Sequence, residues 1–124
     1  DAGTILSITK ITKNGEFEGG QLIAGLKLQL SSMAQGALNL NIPKVKIVPK
    51  ETFQKRTEDA MMKGTINSLL GPIIKAYEET DLTIWLCGGD APIIFEELKD
   101  RNLDIFFYPD LVLEGMIDIS NRLI

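Results

Sequence analysis

Two runs of β-forming residues flank Lys13-Asn14-Gly15-Glu16 near the start of this chain of 124 residues. That pattern restricts the fold more than any other. Asn-Gly between apolar runs is a strong short-range hairpin signal, so the first elements are an antiparallel pair. The segment Thr4 to Thr12 is rich in Ile, Leu and Thr, and its apolar residues do not alternate cleanly. This predicts a strand buried on both faces. Its partner is expected from Phe17 to Ile23 and carries Gly19-Gly20, a sign of a bulge or of close backbone approach.

From Leu26 the hydrophobic period changes. Leu26, Leu30, Met33, Ala34, Ala37 and Leu38 recur at helical spacing and predict an amphipathic helix with one apolar stripe. A connector follows from Asn39 to Pro49, with a short strand expected at Val45 to Val48. A long helix is predicted from Thr57, placed as its cap, with Glu58 and Asp59 favouring the positive end of the helix dipole. Met62, Ile66, Leu69, Leu70, Ile73, Ile74 and Tyr77 give it a continuous apolar face, and Gly71-Pro72 predicts a kink.

The last third alternates: strand Leu82 to Cys87, helix Ala91 to Lys99, strand Leu103 to Phe107, helix Leu111 to Leu123. Asp90 with Pro92, and Asp110 after Pro109, are helix-start chemistry. A hairpin followed by β-α units implies one mixed sheet with helices on its faces, in a single α/β domain.

Composition excludes several functions. A net charge of −4 with scattered basic residues argues against a nucleic-acid surface. The sequence has no histidine, which removes Ser-His-Asp and Cys-His catalysis and most zinc chemistry. Acid-base work would fall to carboxylates or lysines. Cys87 has no partner cysteine and reads as a small buried hydrophobe, which suits a reducing, cytoplasmic compartment. No apolar run approaches the roughly 18 residues of a spanning helix, so no membrane partner is expected. A chain starting at Asp1 inside a strand-like motif reads as a piece of something longer.

Three glycine-bearing turns stand out. Asp1-Ala2-Gly3-Thr4 reads either as a phosphate loop, with Gly3 tolerating positive φ, or as the lead-in to a strand with Asp1 solvated. Gly19-Gly20 belongs to the hairpin. Gly88-Gly89-Asp90 lies between a strand and a helix, where open α/β sheets bind ligands, or is a tight turn. Neither GxxxxGK[ST] nor GxGxxG occurs. Lys55-Arg56 reads as a surface pair or an anion attractor, and Trp85 reads as core.

Taken in order, "DAGT", "GEFEGGQLIAGLKLQLSSMAQGALNLNIPKV", "KRTEDAMMKG", "WLCGGDAPII" and "YPDLVLEGM" resemble the C-terminal half of the type III pantothenate kinases. The resemblance covers almost the whole chain. It implies a ribonuclease H-like, actin-type ATPase domain spanning residues 1–124, opening with a β-hairpin in a mixed sheet flanked by helices. The N-terminal half of the two-domain kinase is then absent from the chain.

By the same resemblance the activity is ATP-dependent phosphorylation of pantothenate, the first step towards coenzyme A, with Mg²⁺ and a monovalent cation, K⁺ or NH₄⁺. Asp1 matches the residue that holds this cation. Gly3 and Thr4 match the second phosphate motif that contacts ATP, Gly88 and Gly89 the pair against which adenosine packs, and Thr57 the threonine that binds pantothenate. Glu114-Gly115 falls in the terminal helix, with a packing role expected. A homodimer is implied, with the acceptor pocket near its interface.

The chain departs from the family pattern in three places. Ala24-Gly25 stands where Pro-Gly is usual, Lys10 where an acid is common, and Cys87 where threonine is frequent. The first phosphate motif, Asp-x-Gly-Asn-Thr, and the Gly-x-Asp-Arg segment with the general-base Asp belong upstream of Asp1. No catalytic residue is therefore expected in this chain, and inactivity alone follows. The alternative is a non-catalytic regulatory or accessory module of the same fold, of the transcriptional accessory type. A sugar or acetyl-sugar kinase ranks below both.

Overall fold

The computed structural model describes residues 1–37, 40–43 and 47–123. Strand β1 (Ile5–Ile11) pairs antiparallel with β2 (Phe17–Ala24), from Ile5 opposite Ala24 to Lys10 opposite Gly19. The register then shifts so that Ile11 faces Phe17, which leaves Glu18 as the extra residue of a bulge. Gly19 sits beside it at φ +114°, and a Cβ on Gly20 would collide with the Ile8 carbonyl oxygen. The paired glycines thus serve both expected purposes. Gly15 turns the hairpin at φ +80°, with its N–H donating to the Thr12 carbonyl.

Helix α1 (Leu26–Gly36) follows, then α2 (Thr57–Thr80), β3 (Ile84–Leu86), α3 (Ala91–Leu98), β4 (Ile105–Phe107) and α4 (Leu111–Arg122). Leu38 of the expected stripe lies outside the described residues, as does part of the strand expected at Val45 to Val48. Strand β3 runs parallel to β4, with Trp85 opposite Phe106.

The core forms where α2 meets its neighbours. Met61, Met62, Ile66, Leu69, Leu70 and Ile73 of α2 pack with Leu26 and Leu30 of α1 and with Ala91, Ile94 and Leu98 of α3. Thr65 is buried in that stripe, and its hydroxyl is satisfied by donation to the Met61 carbonyl at 2.8 Å.

Four expectations are corrected. The described strands form two two-stranded sheets, one antiparallel and one parallel, in place of one mixed sheet. Strand β1 is not buried on both faces: Leu6 and Ile8 face the core, while Ile5 and Ile11 point outward and are exposed. An apolar residue on the outer face hid the period-two pattern. Trp85 is 56 % exposed, because it stacks on Phe106 along the parallel pair and does not enter the core. Helix α4 buries none of its residues, so Glu114-Gly115 has no packing role there; Glu114 instead accepts a hydrogen bond from the Tyr108 hydroxyl. Helix α2 continues unbroken through Gly71-Pro72. The architecture is mixed α/β, with small sheets and flanking helices.

Candidate functional site: the loop cluster around Asp1

The segment Asp1 to Thr4 is held by main-chain bonds from three directions. Asp1 exchanges bonds with Ser7, its nitrogen donating to the Ser7 carbonyl and the Ser7 N–H to the Asp1 carbonyl, each at 2.9 Å. Ala2 is buried, donates to the Cys87 carbonyl at 2.7 Å and accepts from the Asp90 N–H at 2.8 Å. The Thr4 carbonyl accepts from the Gly25 N–H at 2.8 Å. The first loop therefore touches both the β3–α3 turn and the β2–α1 junction.

Glycines make this approach possible, though they are not the ones the tetrapeptide suggests. Gly88 adopts φ +105°, and a Cβ there would lie 2.5 Å from Asp1 Oδ1 and 2.6 Å from both the nitrogen and the oxygen of Ala2. At Gly25 a Cβ would collide with the carbonyl oxygens of Gly3 and Thr4. Gly3 has ordinary room, its nearest atoms being 3.8 Å and 3.9 Å away, and it does not adopt positive φ. The Asp1–Ser7 and Gly3–Ile5 bonds close the turn without left-handed backbone at Gly3. A Cβ on Gly89 would meet open space, and the side chains of Asp1 and Thr4 are exposed.

The sequence reading missed Gly25. Its signal was the abrupt change from β to helical period at that residue, which forces the chain to reverse against whatever lies beside it.

Thr57 sits elsewhere. It is the exposed first residue of α2, with Arg56 as the N-cap, and neither residue makes a side-chain capping bond. The capping role expected of Thr57 is thereby corrected by one position. Beside it an open concavity of about 380 Å³ is lined by Glu51, Phe53, Gln54, Lys55, Arg56 and Asp59. Among the described residues no hydrogen bond links Thr57 to the Asp1 loop.

Cys87 is buried as expected, and Lys10 forms an exposed cross-strand ion pair with Glu18 at 3.7 Å. No cluster of three His, Cys, Asp or Glu side chains among the described residues is arranged to hold a metal ion. Asp1 offers one exposed carboxylate, with main-chain oxygens on the same short turn. That donor set suits a weakly held, oxygen-liking cation better than a transition metal.

The loops that meet at Asp1 lie at element ends of a mixed α/β domain, with their backbone closely apposed through glycine. The type III pantothenate kinase family model matches residues 1–79, and the chain belongs to that family. A type III pantothenate kinase of Chromobacterium violaceum is 35% identical over 127 residues, covering 97% of this chain and 51% of the relative. One from Thermosipho africanus is 33% identical over 124 residues, covering 94% and 47%. The chain spans about half the length of the curated relatives it matches. A Campylobacter jejuni crystal structure, described as a conserved Baf family transcriptional activator, superposes with a TM-score of 0.69 at 19% identity. That match covers 98% of this chain and 55% of the other, and it supports the fold alone.

Proposed function

We propose that this chain is the C-terminal domain of a pantothenate kinase and supplies one wall of its nucleotide site. The observation that carries the reading is the convergence of Asp1–Thr4 with Gly88 inside a chain of that family. In this reading the domain is ribonuclease H-like and actin-type. The product of the whole enzyme is 4'-phosphopantothenate.

The exposed Thr4 side chain and the Gly3-Thr4 backbone contact the phosphates of ATP, and the open surface at Gly89, with Gly88, receives adenosine. Thr57 contacts pantothenate from a separate surface, which suits a pocket completed by a second copy in a homodimer. Asp1 would hold the monovalent cation, K⁺ or NH₄⁺, whose charge would offset that of the phosphates, and Mg²⁺ would be supplied with the nucleotide. The general-base Asp lies in the other domain, so this chain positions the phosphates and leaves proton abstraction to its partner half.

ATP titration of the chain, with K⁺ present and then replaced by Na⁺, tests the reading. Saturable binding that depends on K⁺ and is lost in Asp1→Ala is the expected result. Equal binding by wild type and Asp1→Ala would remove the cation role, and no binding under any salt would favour a domain without nucleotide function.

A further inference from the structure

The Gly3-Thr4 turn is also tied, through the start of α1, to the middle of α2. The Gly25 N–H donates to the Thr4 carbonyl at 2.8 Å, and the preceding carbonyl, that of Ala24, accepts from Gln29 Nε2 at 2.8 Å. Gln29 Oε1 lies 2.9 Å from the Ser68 hydroxyl of α2, which is itself 2.7 Å from the Thr65 carbonyl. The single hydroxyl proton of Ser68 serves one of these two acceptors at a time. Gln29 is half-buried and uses both ends of its amide. Thr65 in turn is locked in the core by its bond to Met61.

From this chain of contacts we propose that Gln29 is a positioning residue, fixing the Ala24-Gly25 junction against α2 so that Gly25 holds the Gly3-Thr4 turn at the nucleotide phosphates. The proposal rests on the nucleotide reading given above. Two observations carry it. Gly25 tolerates no side chain, because a Cβ would strike both carbonyls of the turn, so the turn and the junction are in direct backbone contact. Ala24 is the last residue of β2, and the Gln29 amide, from the first turn of α1, restrains its carbonyl where the strand gives way to the helix.

Half an ångström matters for a loop that must present itself to phosphate oxygens, because hydrogen bonds weaken steeply away from their preferred geometry. A leucine at position 29 keeps the volume and helical propensity while removing donor and acceptor together.

The test compares wild type, Gln29→Leu and Ser68→Ala by amide NMR and by titration with ATP, Mg²⁺ and K⁺, with thermal melting as the check on folding. Expected for Gln29→Leu are displaced Gly3, Thr4 and Gly25 amide signals, unmoved α3 signals and ATP affinity weaker by about tenfold. Ser68→Ala should shift the same signals by less. Unchanged loop signals in Gln29→Leu would overturn the proposal, as would displaced signals with wild-type ATP affinity. If wild type binds no ATP while Gln29→Leu still displaces the loop, the nucleotide reading fails and the positioning role falls with it. Should Gln29→Leu melt out, wild-type signals and affinity in Ser68→Ala would also count against it.

Discussion

Gly88 shows how a single residue decides the shape of the candidate site. Its backbone at φ +105° and the 2.5 Å approach of Asp1 Oδ1 to a notional Cβ make two separate demands for glycine. Gly88→Ala is expected to cost about 1–3 kcal/mol for the backbone conformation alone, and more for the displaced Asp1. Denaturant midpoints would register the first cost, and loss of any K⁺ effect on ATP binding the second. Gly89→Ala, which meets open space, should leave stability within about 1 kcal/mol of wild type.

A second residue-scale prediction concerns pH. The Tyr108 hydroxyl donates to the Glu114 carboxylate, and this bond, with a little burial and the nearby negative charges, raises its pKa above the ordinary 10.0. A raised folded-state value means that the neutral phenol is favoured by folding. Its stabilisation is complete below the unfolded value and is lost as pH rises through the folded one. Ultraviolet titration in a Tyr77→Phe background should show a midpoint above 10.0 that falls in Glu114→Gln.

At the scale of elements, period and punctuation carried most of the information. The stripe Met62, Ile66, Leu69, Leu70 and Ile73 placed α2, and helix-start chemistry at Asp90 and Asp110 placed α3 and α4, because local patterns of 3.6 and of capping depend on near neighbours. The division into two sheets was not legible. Strand partners are chosen by contacts distant in sequence, such as Ala2 with Cys87, that leave no local signal. The candidate site was half legible for the same reason: Asp1 and Gly88 were marked by their own turns, whereas Gly25 mattered only through what it touches. Proline is the other case. Gly71-Pro72 sits inside α2, which continues through it, and Pro72 has no N–H to offer the Ser68 carbonyl one turn back. Pro72→Ala restores an N–H for that carbonyl and should stabilise the chain by as much as about 3 kcal/mol. Urea unfolding would show a midpoint moved upward.

For the molecule as a whole, the unusual feature is the amount of apolar surface left outside. Val112, Leu113, Met116, Ile117 and Ile119 of α4 are each more than half exposed, while Glu114, Asp118 and Arg122 line the opposite side at intervals of four residues. Trp85 and Phe106 form a second exposed apolar patch along the parallel strands, with Tyr108 in edge contact with Trp85 and bonded to the polar side of α4 through Glu114. A helix face carrying five exposed apolar side chains is uncommon on monomers and drives association. The isolated chain is therefore expected to self-associate in a concentration-dependent way. Because α4 contributes nothing to the core, Ile117→Glu should abolish that association without lowering helicity or the melting temperature. Sedimentation velocity across a dilution series separates the cases. A mass that falls on dilution in wild type and is constant in Ile117→Glu is the predicted pattern. A wild-type monomer at every concentration would show that the exposed face of α4 is tolerated in water, and would leave homodimerisation to depend on another surface, such as the concavity beside Thr57.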